Sequence, residues 1–174
     1  MLSRSLALGA RRALHGSAAR RLAQPAAAAA AGEGEAAAVL LNLSGPLKAY
    51  YNYDRVALVN LPGVTGEYGV APDHAATISE LRSGTVQVFK SEGAEPTSYF
   101  IAGGMAFTHP GSKTDVACAD ICQLKDVDGK AAQAMYAETK RKLETLAEGS
   151  KEQAEAMIEL EVYEAACVAT GTPL

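Results

Sequence analysis

The chain has 174 residues, of which 48% are apolar and 21% are charged, with 16 basic and 20 acidic side chains. This length fits one domain, or one small domain with an appendage, and the apolar fraction suffices for a buried core, which excludes wholesale disorder. No apolar run is long enough to span a bilayer as a helix. Residues 1–31 contain five arginines and no acid, which leaves 11 basic against 20 acidic side chains elsewhere. This acidic remainder argues against a nucleic-acid partner, because binding to a phosphate backbone requires clustered lysine and arginine.

The first segment, residues 1–31, has the composition of an organelle targeting sequence. It is rich in Arg, Ala and Leu, contains serine and lacks acids, and it has no continuous apolar stretch of the kind found in secretory signals. The stretch from Arg12 to Ser17 also resembles a two-step matrix-processing pattern, which favours mitochondria over plastids. The segment is therefore predicted to be a mitochondrial transit peptide, and the alternative is a disordered basic tail.

The next segment, residues 32–126, has the pattern of short strands. Runs with Val, Ile, Phe and Tyr are interrupted by Gly or Pro every 8 to 12 residues, with no helical stretch between them. Strands without intervening helices cannot form parallel crossovers, so the pattern predicts an antiparallel β-sandwich. Eight strands are predicted, near residues 37–44, 47–53, 55–61, 76–82, 85–90, 98–103, 105–109 and 113–118, with turns that include Asn52-Tyr53-Asp54 and Pro110-Gly111-Ser112.

The last segment, residues 127–174, predicts an antiparallel helical hairpin. Residues 128–170 contain no proline and are rich in Ala, Glu, Lys, Leu and Met. Asp128 and Ser150 are the predicted N-caps of helices over about 130–147 and 151–170, and Gly149 ends the first helix. The predicted seam is formed by small and medium apolar residues, namely Ala131, Ala134, Met135, Leu143 and Leu146 in the first helix and Ala154, Met157, Ile158, Val162, Ala165 and Val168 in the second.

No motif in the chain predicts catalysis or nucleotide binding. The phosphate-binding patterns G-x-x-x-x-G-K-[ST] and G-x-G-x-x-G are absent, and the glycines of residues 63–69 predict a β-turn with positive φ. A triad of Ser79, His74 and Asp73 can be written down, but G-x-S-x-G is absent and adjacent residues in a loop give no reason for that geometry.

The remaining candidates are a set of potential metal ligands and an acidic helix face. Cys118, Cys122 and His109 have the wrong spacing for a zinc knuckle and lack a fourth ligand, so no metal is expected, and these cysteines and Cys167 are predicted to be small buried residues. A glutamate-rich face of the last helix is either a solvated face or a surface for a basic partner, and it consists of Glu152, Glu155, Glu159, Glu161 and Glu164. The residues alone thus favour a non-catalytic interaction protein without a cofactor.

One long motif connects the chain to a known family. Residues 63–76, GVTGEYGVAPDHAA, are similar to the pattern G-x-x-G-x-x-G-[ILV]-x-P-x-H-A-P of the small rotor subunit of F-type ATP synthases, called delta in mitochondria and epsilon in bacteria and chloroplasts. Residues 79–84 and 99–104 are similar to the family's x-x-[IL]-[KR]-P-G and x-[FY]-x-x-[SG]-G. Ala76 and Ser83 stand where the family usually has proline, and the resemblance covers residues 37 to about 169.

The resemblance implies a non-catalytic subunit of the central stalk that couples proton flow to ATP synthesis. The implied partners are the gamma subunit, the small mitochondrial epsilon subunit and the ring of c subunits. The implied location is the matrix side of the mitochondrial inner membrane, reached only through the complex. In the family, the positions that match Glu67 and His74 face the polar loops of the c-ring, and we carry those two roles over to this chain.

One departure from the family bears on nucleotide binding. Some bacterial relatives bind ATP through [IL]-D-x-x-R-A at the start of the first helix, where this chain has Ala131 in place of the arginine. The resemblance therefore implies no nucleotide site, and a hairpin that stays folded against the sandwich, held by the epsilon subunit. Two other hypotheses remain at this point: a chloroplast-type epsilon subunit with a regulatory role, and a small matrix hydrolase that uses His74.

Overall fold

The computed structural model describes residues 37–174, which lie within one compact unit. The predicted transit peptide, residues 1–31, lies outside the described residues. The described part begins with strands and ends with two helices, so the predicted fold class is confirmed. Neither of these helices is long and apolar enough to cross a membrane.

The β part consists of ten strands. They are β1 (Val39–Ser44), β2 (Ala49–Val56), β3 (Leu58–Gly63), β4 (Gly66–Val70), β5 (Thr77–Leu81), β6 (Gly84–Phe89), β7 (Thr97–Ile101), β8 (Gly104–His109), β9 (Lys113–Cys118) and β10 (Ile121–Gln123). All eight predicted strands are present, with ends that differ by up to three residues. The short strands β4 and β10 were not predicted.

The strands form one curled sheet. Its hydrogen-bonded order is β10-β7-β6-β3-β5-β8-β9-β1-β2, and β4 pairs with β3 outside this path. The prediction of a purely antiparallel sheet is wrong at one place, because β1 and β9 pair in parallel while the other described pairs are antiparallel. A parallel pair needs a long connection between its strands, and here the seven strands between β1 and β9 provide it.

The curl encloses the main core. In β1, buried and half-buried residues alternate, because successive side chains of a strand point to opposite faces. Many of the buried residues are β-branched or aromatic, which suits a pleated surface. The largest fully buried side chains include Leu41, Leu43, Leu61, Ile101, Val59 and Val88.

The predicted turn at Asn52-Tyr53-Asp54 is wrong. Strand β2 continues through it, and the register against β1 skips Tyr53, so this residue forms a β-bulge. Its φ of 57° lies in the left-handed region. Turns and bulges both use this conformation, which is why the sequence pattern did not distinguish them.

The helical hairpin is confirmed in its bounds and caps. A short 3₁₀ turn (Leu124–Asp126) precedes α1 (Gly129–Thr145) and α2 (Lys151–Thr170). The Asp128 carboxylate accepts hydrogen bonds from two amides of the first turn of α1, and the Ser150 hydroxyl accepts one from Gln153. Gly149 adopts a φ of 75° after α1. The predicted division into domains at residues 126 and 127 falls between the 3₁₀ turn and α1, and it stays a prediction.

The predicted helix seam is only partly correct. Met157, Ile158 and Val168 are 56%, 65% and 69% exposed, whereas the buried positions of the two helices are Ala132, Thr139, Ala156, Ala166 and Cys167. Small side chains let the helix backbones approach closely, and the larger apolar residues do not fit into that narrow contact. Of the other predicted seam residues, Leu143, Leu146, Val162 and Ala165 are half-buried, and Ala131, Ala134 and Ala154 are exposed.

A second apolar cluster joins the hairpin to the sheet. Phe100 of β7 packs there with Ala132, Ala166 and Cys167, and Cys122 and Leu124 border the cluster. The hairpin is thus folded against the sheet, as expected, through a contact that buries one large side chain and several small ones.

We expect an isolated peptide of residues 128–170 to show low helicity by circular dichroism in dilute buffer. The buried side chains of its two helices are small, and three of the five pack in the cluster with Phe100 of the sheet, which the peptide lacks. Isolated helices of this length are marginal in water. A monomeric peptide that is strongly helical and melts cooperatively would contradict this prediction.

Candidate functional site

Glu67 lies at the start of a strand. The chain reverses between β3 and β4, where Gly63 and Gly66 are paired and Gly66 adopts a φ of 135°. Glu67 follows as the second residue of β4, opposite Pro62, and its side chain is exposed. The β-turn predicted over residues 63–69 is therefore wrong for Glu67, because the turn ends at Gly66 and the chain continues into a paired strand.

His74 lies in the loop between β4 and β5, as predicted. Its amide donates a hydrogen bond to the Ala71 carbonyl at 3.2 Å, and its ring Nδ1 lies 2.9 Å from the Ala75 carbonyl oxygen. A carbonyl only accepts, so Nδ1 is the donor in this contact. The half-buried ring lies 6.4 Å from the ring of Tyr68, whose hydroxyl is hydrogen-bonded to Ser79.

The two candidate residues have different neighbours. Glu67 lines a cleft of about 360 Å³ between the sheet and α2, together with Arg82, Glu161 and Glu164. His74 contacts Tyr68, the residue after Glu67, and successive side chains of a strand point to opposite faces. The structure thus connects both residues through β4, but it does not bring them into one pocket.

The hydrolase triad does not form. The Ser79 hydroxyl bonds to Tyr68, and the backbone and carboxylate of Asp73 bond to the Ser112 hydroxyl. The proton on Nδ1 of His74 is directed at the Ala75 carbonyl. A triad requires these three side chains to bond to one another, so the structure gives the hydrolase hypothesis no support.

The imagined metal ligands also lie apart. His109 Nε2 pairs with an Asp115 carboxylate oxygen at 2.9 Å, Cys118 belongs to the main core, and Cys122 borders the second cluster. Burial would raise the pKa of Asp115, but hydrogen bonds from Asn42 and Tyr53 and the nearby charge of Lys113 lower it below its usual value. Burial raises the pKa of the Cys118 thiol to about 11, which makes it a poor nucleophile. Within residues 37–174, no group of three or more His, Cys, Asp and Glu side chains could hold a metal ion.

Sequence reasoning missed two neighbours of the candidate residues. Tyr68 was not singled out, although it follows Glu67 in β4 and its ring lies 6.4 Å from the His74 ring. Ser112 was predicted only as part of a turn, and its bond to Asp73 joins residues that are 39 positions apart. No local pattern signals such a contact, because it depends on how β5, β8 and β9 are arranged in the sheet.

Comparisons with known proteins agree on one family. The family described as "ATP synthase, Delta/Epsilon chain, beta-sandwich domain" matches residues 41–120. The chain is 37% identical to "ATP synthase subunit delta, mitochondrial" of Neurospora crassa over 72% of its length and 75% of that protein. It is 38% identical to the protein of the same name in Yarrowia lipolytica, with the same coverage.

Solved structures with a similar fold also come from ATP synthases. A chain in a cryo-EM structure of the Euglena gracilis mitochondrial ATP synthase, containing OSCP, F1 and the c-ring, superposes with a TM-score of 0.68. It is 24% identical, and the match covers 77% of this chain and 82% of that one. At this identity the superposition establishes the shared fold.

Proposed function

Because the chain belongs to the family of mitochondrial ATP synthase delta subunits, we propose that it couples ring rotation to ATP synthesis through Glu67 and His74. It is a non-catalytic subunit of the central-stalk rotor, and its complex lies in the mitochondrial inner membrane with the stalk on the matrix side. The relatives are named as mitochondrial proteins, which favours this location over the chloroplast alternative.

The observation that carries the proposal is the placement of the two motif residues on a rigid body. Glu67 extends from β4 and His74 from the loop that follows it, and both join a single curled sheet with a continuous core. A torque-carrying subunit must not deform under load, and close-packed interiors have low compressibility. This stiffness supports the proposed contact of both side chains with the polar loops of the c-ring.

The other partners are the gamma subunit and the small epsilon subunit. Three glutamates of α2, Glu152, Glu155 and Glu159, are exposed along the helix, and Lys151 pairs with Glu155 at 3.2 Å. A net acidic helix face fits a partner that carries basic residues, since opposite charges steer association. We assign this face to the epsilon subunit, which holds the folded hairpin against the sheet.

The test is the double substitution Glu67→Ala with His74→Ala in the complete ATP synthase. Each removes a polar contact worth about 1 kcal/mol, so we expect the affinity of the central stalk for the c-ring to fall by roughly tenfold or more. Proton pumping per ATP hydrolysed should fall, while ATP hydrolysis by the detached catalytic head stays unchanged. Pumping is measured by dye quenching in vesicles that contain the complete enzyme, and hydrolysis is measured by phosphate release on the catalytic head detached from the same vesicles.

The matched control removes two exposed carboxylates at the tip of the hairpin, with Glu144→Ala and Glu148→Ala. This control should pump protons like the unmodified enzyme. If the Glu67/His74 variant also pumps normally, these residues do not contact the ring and the proposed coupling role is wrong.

A further inference from the structure

The loop that carries His74 is tied to a distant turn. The backbone amide of Asp73 donates a hydrogen bond to the Ser112 hydroxyl oxygen at 2.8 Å. The same hydroxyl donates to the Asp73 carboxylate, with 3.4 Å between the oxygens. These reciprocal bonds join the loop between β4 and β5 to the turn between β8 and β9.

Both bonded residues have an uncommon backbone conformation. Asp73 and Ser112 have φ values of 59° and 60°, and with Tyr53 they are the non-glycine residues of the described chain with positive φ. Such conformations persist where the surroundings hold them, and they cluster at functional sites. Here each residue supplies the polar group that holds the other.

Of the two connected elements, the turn between β8 and β9 is more firmly fixed to the sheet than the loop that carries His74. The Ser112 carbonyl accepts a hydrogen bond from Leu40 of β1 at 2.7 Å, and the next residue, Lys113, begins β9. Ser112 is thus fixed to the sheet where β1 and β9 pair. The loop of residues 71–76, in contrast, contains no strand, so the Ser112 hydroxyl anchors it to the sheet one residue before His74.

We propose that Ser112 is a positioning residue for ring contact, because its hydroxyl holds Asp73 in the left-handed conformation that places the His74 side chain. This inference rests on the proposed role of His74 at the c-ring. Ser112 itself does not need to touch the ring.

The test compares three substitutions of Ser112 in the complete ATP synthase. Ser112→Ala removes the hydroxyl, Ser112→Gly removes it and also relieves the backbone conformation, and Ser112→Asn restores a polar oxygen in a residue that tolerates positive φ. The control is Ser91→Ala, at an exposed serine in the turn after β6. Amide exchange of residues 71–76 and proton pumping per ATP hydrolysed are measured for each variant.

We expect Ser112→Ala and Ser112→Gly to raise exchange at Asp73 and His74 about fivefold, the factor expected for one lost hydrogen bond. Proton pumping per ATP hydrolysed should fall, as it should for His74→Ala. Ser112→Asn should restore both the exchange rate and the pumping, and Ser91→Ala should change neither. Unchanged exchange in the alanine and glycine variants would overturn the positioning role. Raised exchange together with normal pumping would also overturn the positioning role, provided that His74→Ala lowers pumping. If His74→Ala has no effect either, the proposed ring contact is what fails, and the inference fails with it.

Discussion

Gly104→Ala is expected to destabilise the protein by roughly 3 kcal/mol, at the upper end of the range for overpacked sites. Gly104 begins β8 and pairs with Leu81 on one side and Cys118 on the other. A Cβ atom at this position would clash with the Ala117 carbonyl oxygen and lie 2.9 Å from the Cys118 Cα. Backbone atoms inside a paired sheet cannot move aside without breaking the β8–β9 ladder. Because whole domains are stable by only about 5–15 kcal/mol, urea unfolding should show the loss as a clear shift of the midpoint.

Gly69→Ala is the matched control for this prediction. Gly69 is also a strand glycine, but the atoms nearest to an added Cβ are the Asn60 Oδ1 at 3.1 Å and the Leu58 Cδ1 at 3.3 Å. Both atoms are ends of side chains that rotate, so we expect a change within about 1 kcal/mol, partly offset by the lower entropy of the unfolded chain. Equal effects at Gly104 and Gly69 would mean that the close backbone approach at Gly104 does not limit stability.

The curled sheet explains how a body with many short strands can be stiff. The parallel pair of β1 and β9 joins the first strand to the ninth, so most of the chain lies within one continuous ladder. The elements proposed to face the ring begin from this ladder, with Glu67 in β4 and His74 anchored through Ser112. Force applied at the loop is therefore passed to several strands at once.

Local patterns predicted the order of the elements because turns, caps and strand alternation are encoded in short stretches. Asp128, Gly149 and Ser150 each act on the few residues beside them, and the structure confirms these roles. The bulge at Tyr53 and strand β4 were missed because a residue that adopts positive φ, or a pair of glycines, also indicates a turn. Only the partner strand distinguishes the two. The contact of Asp73 with Ser112 depends on the whole sheet, so no stretch of sequence contains it.

The helix seam shows the same limit in packing. Hydrophobicity favoured Met157 and Ile158 as buried residues, yet Ala156 and Cys167 occupy the contact. A stripe of large apolar residues is the usual indicator of a buried face. In this hairpin the buried positions carry small side chains instead, which the pattern ranks low.

Phe100→Ala should release the hairpin from the sheet without unfolding the strands. Phe100 is 7% exposed and is the large side chain of the second cluster, where it packs with Ala166 and Cys167. Removing a buried phenylalanine costs about 3–5 kcal/mol, and the small residues around it cannot fill the space. The helices gain little stability from their own contact, so the loss should destabilise the docked hairpin. Amides of α1 and α2 should therefore exchange much faster, while those of β1 and β9 stay protected.

The neighbouring residue provides the comparison, because Ile101 points to the other face of β7. It is fully buried in the main core, so Ile101→Ala should cost a similar 2–5 kcal/mol but raise exchange throughout the sheet and the helices together. The two variants thus differ in where the stability is lost. If Phe100→Ala leaves the helix amides protected, or if it weakens the strands as much as Ile101→Ala does, then the hairpin is not held by the Phe100 cluster. In that case its docking must depend on other contacts of α2 with the sheet.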